Sequence, residues 1–447
     1  MKLYKRDIFS QIEPYIGDET IIVLHGARQV GKTHILKYIQ NWLEERGKKS
    51  LYYDLEYSDT LDLINHGTTA FINELSGKKY IEGEEIYVLI DEIQYLDNPS
   101  SFLKIIADHY KNIHLIVSGS STFDIKTKFT NSLAGRTTPF EVFPLSFSEF
   151  LTFKESEYHV TRQPSSSAIH SFTEYYQEFI KYGGYPKVVL EPIVEKKKRY
   201  LIQMIDTYIR KDIRDLTTIS DIRKFNSMLK ILASQSGQLL SMKALSNETD
   251  TAFTTIQKYL SILEETYVIK LVPPYSHSTS VEISKNPKIY FYDSGLLSIL
   301  WLNNFQDTII GNVFETNIFS ELVKLYGRQN IHFWRTKSGK EIDFILELPP
   351  HLIPIEVKTN FQQYSSKHLA HFTAKYKSEP GKVVALLGNP KNEHYLYPWQ
   401  LINIFPIPKR GWSRPKSSSS MVDILEKTIE AQQKQIDELK RTIDGRR

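Results

Sequence analysis

Nine consecutive residues, His25-Gly26-Ala27-Arg28-Gln29-Val30-Gly31-Lys32-Thr33, contain the spacing G-x-x-x-x-G-K-[ST]. Glycines in such a loop let backbone N–H groups turn inward, and the following helix N-terminus adds donors for phosphate oxygens. Lys32 would add a positive charge at the β- and γ-phosphates, and the Thr33 hydroxyl would ligate Mg²⁺. ATP and Mg²⁺ are therefore the expected ligands. Further on, the apolar run Tyr87-Val88-Leu89-Ile90 ends in Asp91-Glu92. Asp91 would hold the Mg²⁺ through water, and Glu92 would orient and polarise the attacking water, so hydrolysis is expected as well as binding. The run Leu115-Ile116-Val117 leads into Ser118-Gly119-Ser120-Ser121. Ser120 is the first choice for a hydroxyl that senses the γ-phosphate, and Ser118 the second. Arg136 and Arg210 are candidate arginine fingers that would act on a neighbouring copy.

A second group lies near the C-terminus. Glu341–Leu346 and Ile353–Lys358 alternate polar and apolar residues, and Pro349-Pro350 turns between them, as in a hairpin. Period two puts Glu356 and Lys358 on one face, and Asp343 can lie beside Glu356 across the pair. Glu315 sits on an amphipathic stretch from Gly311 to Leu325. Glu…Asp…Glu-x-Lys suits metal-assisted phosphodiester cleavage. Asp343 and Glu356 would ligate Mg²⁺, Glu315 would complete the metal site, and Lys358 would orient water or neutralise the phosphate. Arg328, Arg335, Lys337 and Lys340 offer a basic rim. The His368-x-x-His371 pair has no evident third ligand and reads as a helix face.

These groups need elements to hold them. Ile21–His25, Leu51–Leu55, Tyr87–Ile90 and Leu115–Ser118 read as continuous apolar strands separated by helices, which implies an α/β domain around a parallel sheet. Residues 151–220 read as helical, broken at Gly183-Gly184-Tyr185-Pro186. In 221–280, helices near Phe225–Ala233, Ser241–Ser246 and Thr251–Glu265 precede a strand at Tyr267–Val272, the order of a winged helix. Thr254, Thr255, Gln257 and Lys258 would then face DNA. Residues 221–270 hold six Lys or Arg against five Asp or Glu, so no basic stripe dominates and packing between domains is the competing role. Residues 281–410 return to mixed α/β, 411–420 form a Ser-rich linker, and 421–447 a helical tail. Val422, Leu425, Ile429, Gln432, Ile436, Leu439 and Ile443 alternate by three and four, the seam of a coiled coil or the face of a packed tail helix.

The 447 residues allow roughly three domains at about 150 residues each. Cysteine is absent, which excludes disulfides, thiolate metal sites and cysteine nucleophiles. Net charge is +4, which neither demands nor excludes nucleic acid. Aliphatic runs reach about five residues where a membrane span needs about 20, and the first residues lack a secretory h-region; a cytoplasmic protein is expected.

The strings GARQVGKT, LIDEIQYL, SGSS, LAGR and PLSFSEF resemble a prokaryotic AAA+-type P-loop ATPase family with a C-terminal restriction-endonuclease-like, PD-(D/E)xK, domain of unknown function. GGYP, YIRKDI, KYLSILEETYVIKLVPPY, KNPKIYFYDSGL and IEVKT extend the likeness to about residue 385. The resemblance implies an ATPase core over 1–150, a helical lid over 151–220, a winged helix over 221–280 and a nuclease-like domain over 281–410. Three roles follow. The first is an ATP-dependent DNA-processing enzyme, in genome maintenance, mobile-element control or phage defence. The second is a regulatory switch whose later domains bind partners without cleavage. The third is a scaffold assembled as a homo-oligomer through residues 421–443, and Asp91-Glu92 argues against it.

Overall fold

The computed structural model describes residues 2–78, 80–81, 83–119, 133–209, 222–276, 286–336, 338–364 and 367–405. Ser120, Arg210, Lys337, the linker and the 421–447 tail lie outside these residues.

Five strands, β1 (Ile21–Gly26), β2 (Ser50–Asp54), β3 (Ile86–Asp91), β4 (Ile113–Gly119) and β5 (Thr137–Val142), form a parallel sheet in the order β2-β3-β4-β1-β5. Alternate residues serve opposite faces. Ile22, Leu24, Leu89 and Ile116 pack with Ile35, Leu36 and Ile39 of helix Lys32–Glu44, while Val23, Val88, Ile90 and Val117 pack with Phe71, Phe102 and Leu103 on the other side. Two covered faces explain why β1 and β3 are buried at every position. β5 was not anticipated: Thr137–Val142 carries Pro139 and Glu141 at an edge, so its apolar signal is weak.

The expected helical stretch contains Phe147–Phe153, Ser166–Tyr182, Pro186–Leu190 and Val194–Met204. Helices Ile222–Ser234, Met242–Thr249 and Phe253–Glu265 follow. Then β6 (Ile269–Val272) pairs antiparallel with β7 (Lys288–Phe291). A last sheet, β12-β11-β10-β9-β8, is built from β8 (Ile331–Arg335), β9 (Glu341–Leu348), β10 (His351–Asn360), β11 (Lys382–Leu387) and β12 (Tyr395–Leu396). β8, β9 and β10 are antiparallel neighbours, whereas β11 and β12 run parallel to β10. Helix Gly311–Tyr326 is buried almost all round.

One apolar cluster runs from the Lys32–Glu44 side of the first sheet through the helical segments to the last sheet, and residues 1–405 form one compact unit. Two glycine-bearing strings lock it. Asp293 accepts from Gly184 N at 2.7 Å and caps helix Ser294–Leu302 through Leu296 N at 2.8 Å. A Cβ on Gly183 would lie 2.2 Å from Asp293, and one on Gly295 2.1 Å from the Tyr182 carbonyl, so only glycine permits this approach.

Candidate functional site

The loop after β1 takes the form its sequence demands. Gln29 and Gly31 have φ of 61° and 95°, left-handed conformations that curl the chain before helix Lys32–Glu44. Gly26 is hemmed in by β5, where a Cβ would lie 2.0 Å from the Val142 carbonyl. Lys32 is buried, and its Nζ donates to the carbonyls of Gly26 (3.0 Å) and Ala27 (2.7 Å), which pins the ammonium over the loop. Arg6 braces the same loop from the N-terminal segment. Its guanidinium donates to the Val30 carbonyl (2.7 Å), the Phe143 carbonyl (2.9 Å) and Glu149 (2.7 Å). Arg6 and Glu149 are both buried, so truncating either leaves a stranded charge and costs about 3–5 kcal/mol. Arg6 was missed because a single Arg outside any motif carries no sequence signal.

Strand order decides what meets the loop. β4 lies between β1 and β3, and Ser118 stands opposite Leu24. The Ser118 hydroxyl donates to Asp91 Oδ1, and Tyr52 from β2 donates to Asp91 Oδ2 at 3.0 Å. Asp91 is thereby held at 1% exposure with both oxygens engaged. Ser118, second choice from sequence, reaches this carboxylate from β4 alongside Tyr52. Glu92 adopts a left-handed conformation (φ 55°, ψ 47°), and its carboxylate accepts from Gln94. Burial raises the Glu92 pKa, and the Lys32 charge opposes that rise. The donor set of Thr33 hydroxyl and Asp91 carboxylate is hard oxygen, the chemistry Mg²⁺ takes.

Arg136 stands away from the phosphate loop of its own chain. It precedes β5, which runs parallel to β1, and its carbonyl accepts from Ile21 N at 2.8 Å, at the end of β1 remote from Gly26. Its guanidinium forks onto Asp108 at 2.6 and 3.2 Å. As a finger it would have to abandon that pair.

A junction not foreseen from sequence ties the first sheet to the later segments. His25 and Glu141 stand side by side on β1 and β5. The Tyr267 hydroxyl lies 2.9 Å from His25 Nδ1 and donates to Glu141 Oε1 at 2.9 Å. Arg328 pairs with the same oxygen at 2.7 Å and lies 5.1 Å from the Tyr267 ring centre. With Glu141 taking the hydroxyl proton, His25 donates from Nδ1 to Tyr267. Arg328, expected on a basic rim, instead serves this contact.

In the last sheet, Asp343 precedes Phe344 and Glu356 follows Ile355, the last residues paired between β9 and β10, so the two carboxylates lie one step beyond that antiparallel pair. Asp343 Oδ2 accepts from Val357 N at 2.8 Å. Lys358 Nζ is 2.7 Å from Glu356 and 3.8 Å from Asp343. Glu356 Oε2 is buried without a hydrogen-bond partner among the described residues. Glu315 accepts from the Tyr290 hydroxyl and lies 3.6 Å from Lys288 Nζ. Burial, then repulsion from Asp343, pushes both Glu315 and Glu356 above the usual carboxylate range. Among the described residues no three of His, Cys, Asp and Glu converge to hold a metal ion. Glu315 therefore does not complete a three-carboxylate set as expected, because Tyr290 and Lys288 hold it. Asp343 and Glu356 still suit Mg²⁺, which takes one or two carboxylates and keeps its waters. His368 and His371 are exposed, and His371 leans on Trp334. Thr254, Gln257 and Lys258 are exposed on helix Phe253–Glu265, with Thr255 half-buried.

Comparison with known proteins matches three successive segments of the chain. Residues 18–151 match the family model of an AAA domain, while 173–308 and 310–409 match two domains of unknown function. An uncharacterized protein of Haemophilus influenzae is 26% identical over 388 residues, 83% of this chain and 91% of its own length. One from Methanocaldococcus jannaschii is 28% identical over 354 residues, covering 77% and 75%. Among solved structures, AMPPCP-bound DnaA from Aquifex aeolicus aligns with a TM-score of 0.29 at 17% identity over 59% of this chain and 90% of that one. Drosophila ORC bound to DNA aligns at 0.24 and 11% over 62% and 89%. Among the described residues no helix is long and apolar enough to cross a membrane. The segment 18–151, with its phosphate-binding loop and the strand-end Asp91-Glu92, is an AAA-type ATPase domain.

Proposed function

We propose that the chain is an ATP-hydrolysing AAA+-type enzyme whose ATPase cycle is coupled to a Mg²⁺-dependent, nuclease-like site acting on DNA. Residues 151–220 serve as its lid, 221–280 as its winged helix and 281–410 as its nuclease-like domain. The observation that carries the second half of the reading is the grouping of Asp343, Glu356 and Lys358 on β9 and β10 within one compact unit with the ATPase sheet.

In the first site, inward N–H groups of residues 26–33 hold the phosphates. Lys32 exchanges its two loop carbonyls for β- and γ-phosphate oxygens. Thr33 and Asp91 hold Mg²⁺, which supplies charge neutralisation at the phosphates. Ser118 and Tyr52 orient Asp91, and Glu92 accepts a proton from the attacking water. Ser120 is retained as a γ-phosphate sensor, and Arg136 and Arg210 as fingers from a second copy.

In the second site, Asp343 and Glu356 hold Mg²⁺, which supplies an activated water and a polarised phosphodiester. Lys358 keeps the two carboxylates together and faces the phosphate. Cleavage of single-stranded, duplex or branched DNA with Mg²⁺ or Mn²⁺, measured with and without ATP, tests this reading. Loss of cleavage in both Asp343→Ala and Lys358→Ala is the expected result. A wild type that cuts none of these substrates would move the reading to an ATP-driven regulatory switch whose later domains bind partners.

A further inference from the structure

Val30 stands between two residues of positive φ, Gln29 and Gly31, so the Val30–Gly31 peptide sits inside the curl of the phosphate loop. A trans peptide points its C=O and its N–H in opposite directions. The Val30 carbonyl accepts from Arg6 Nη1 at 2.7 Å. The Gly31 N–H of the same peptide therefore points away from Arg6, and a phosphate must lie on that side to meet it. Gly31 by itself does not fix this choice. Turning the peptide over would carry its φ from 95° to about −85°, and glycine adopts both signs about equally. Turned over, the peptide would present an oxygen where the N–H stood, and an oxygen repels a phosphate.

Arg6 fixes the choice from outside the loop. It precedes the matched segment 18–151 and is only 4% exposed. Its other N–H groups are tied to the segment that follows β5: Nε donates to Glu149 at 2.7 Å and Nη2 to the Phe143 carbonyl at 2.9 Å. That anchor is itself held. Glu149 also accepts from Ser146 N at 2.9 Å, and Phe147 N donates to Glu321 of helix Gly311–Tyr326 at 3.0 Å. A guanidinium is a rigid planar fork, so holding two of its nitrogens places the third at one point. The Val30 carbonyl meets it there.

We propose that Arg6 is a positioning residue for the nucleotide: by holding the Val30 carbonyl outward it keeps the Gly31 N–H turned toward the phosphates, and so sets ATP affinity without touching ATP. The inference rests on the nucleotide-site reading above and names a residue that tunes that site. Without the clamp the peptide divides between two orientations, and apparent affinity falls with the competent fraction. Saturating ATP draws the loop back to the competent form, so kcat is kept.

The full chain tests this, with the ATP dissociation constant from a fluorescent-nucleotide titration, kcat from phosphate release at saturation, and folding followed by circular dichroism at the assay temperature. Arg6→Met/Glu149→Gln removes both buried charges, so neither is stranded. It should weaken ATP binding about tenfold or more while kcat stays within about twofold. Arg6→Lys keeps the charge but offers one nitrogen in place of three, and Glu149 claims it first. This variant should also bind ATP more weakly, though less so than the double variant, and it carries the test if the double variant does not fold. A merely structural role would lower the melting temperature and leave the dissociation constant of the folded variants at the wild-type value. That result, or a kcat that falls with affinity unchanged, overturns the role of Arg6 and leaves the nucleotide site standing. A wild type that binds no ATP overturns that site and this inference together.

Discussion

Tyr267→Phe removes one hydroxyl at the contact between the ATPase sheet and the segments that follow it. The ring is 1% exposed and keeps Phe143 and Tyr292 at 5.7 and 5.8 Å, so packing is preserved. One bond to the Glu141 carboxylate and one to His25 disappear. A bond to a charged group contributes about 1.5–3 kcal/mol and a neutral one about 0.5–1.5 kcal/mol. Arg328 remains 2.7 Å from Glu141, so the carboxylate keeps a charged partner. The loss should then sit in the lower half of the sum, about 2–3 kcal/mol. Glu141→Gln deletes the same hydroxyl's charged acceptor and the partner of Arg328, whose side chain is only 23% exposed. The double variant should cost about 1–2 kcal/mol less than the two single losses added, because the shared bond is lost only once. Urea unfolding of all four proteins, followed by circular dichroism at one ionic strength, measures this. A Tyr267→Phe protein as stable as the wild type, or costs that add within about 0.5 kcal/mol, would refute the network.

Lys32→Ala should raise the ATP dissociation constant at least ~100-fold, about 2.8 kcal/mol, in a fluorescent-nucleotide titration; unchanged affinity would remove the loop assignment. Glu92→Gln should still bind ATP while phosphate release slows by about 10²–10⁴, and normal turnover would mean another base. Gly26→Ala drives a Cβ to 2.0 Å from the Val142 carbonyl and should destabilise the β1–β5 contact by more than about 4 kcal/mol; a wild-type melting curve would contradict that packing. Deleting residues 421–447 should lower the mass seen by light scattering, and an unchanged mass would make the tail a packed helix.

Local residue chemistry carried much of this protein into view. Gly26 to Thr33 read as a phosphate loop because glycine conformational freedom and a following helix are local properties. Asp91-Glu92 read from the apolar strand before it, and the Asp343–Glu356 pairing from two alternating strands joined by Pro349-Pro350. Tertiary structure decided which distant residues complete each site. Ser118 reaches Asp91 because β4 inserts between β1 and β3, an order that no property of either strand announces. Arg136 turned to Asp108 because β5, too polar to read as a strand, starts at the far end of the sheet. Tyr267 and Lys288 drew no particular notice as single residues in ordinary segments, and Arg328 read only as part of a basic rim. Their roles arise only when β6 and β7 pack between the two sheets, bringing a hydroxyl to His25 and an ammonium to Glu315 across long sequence separations.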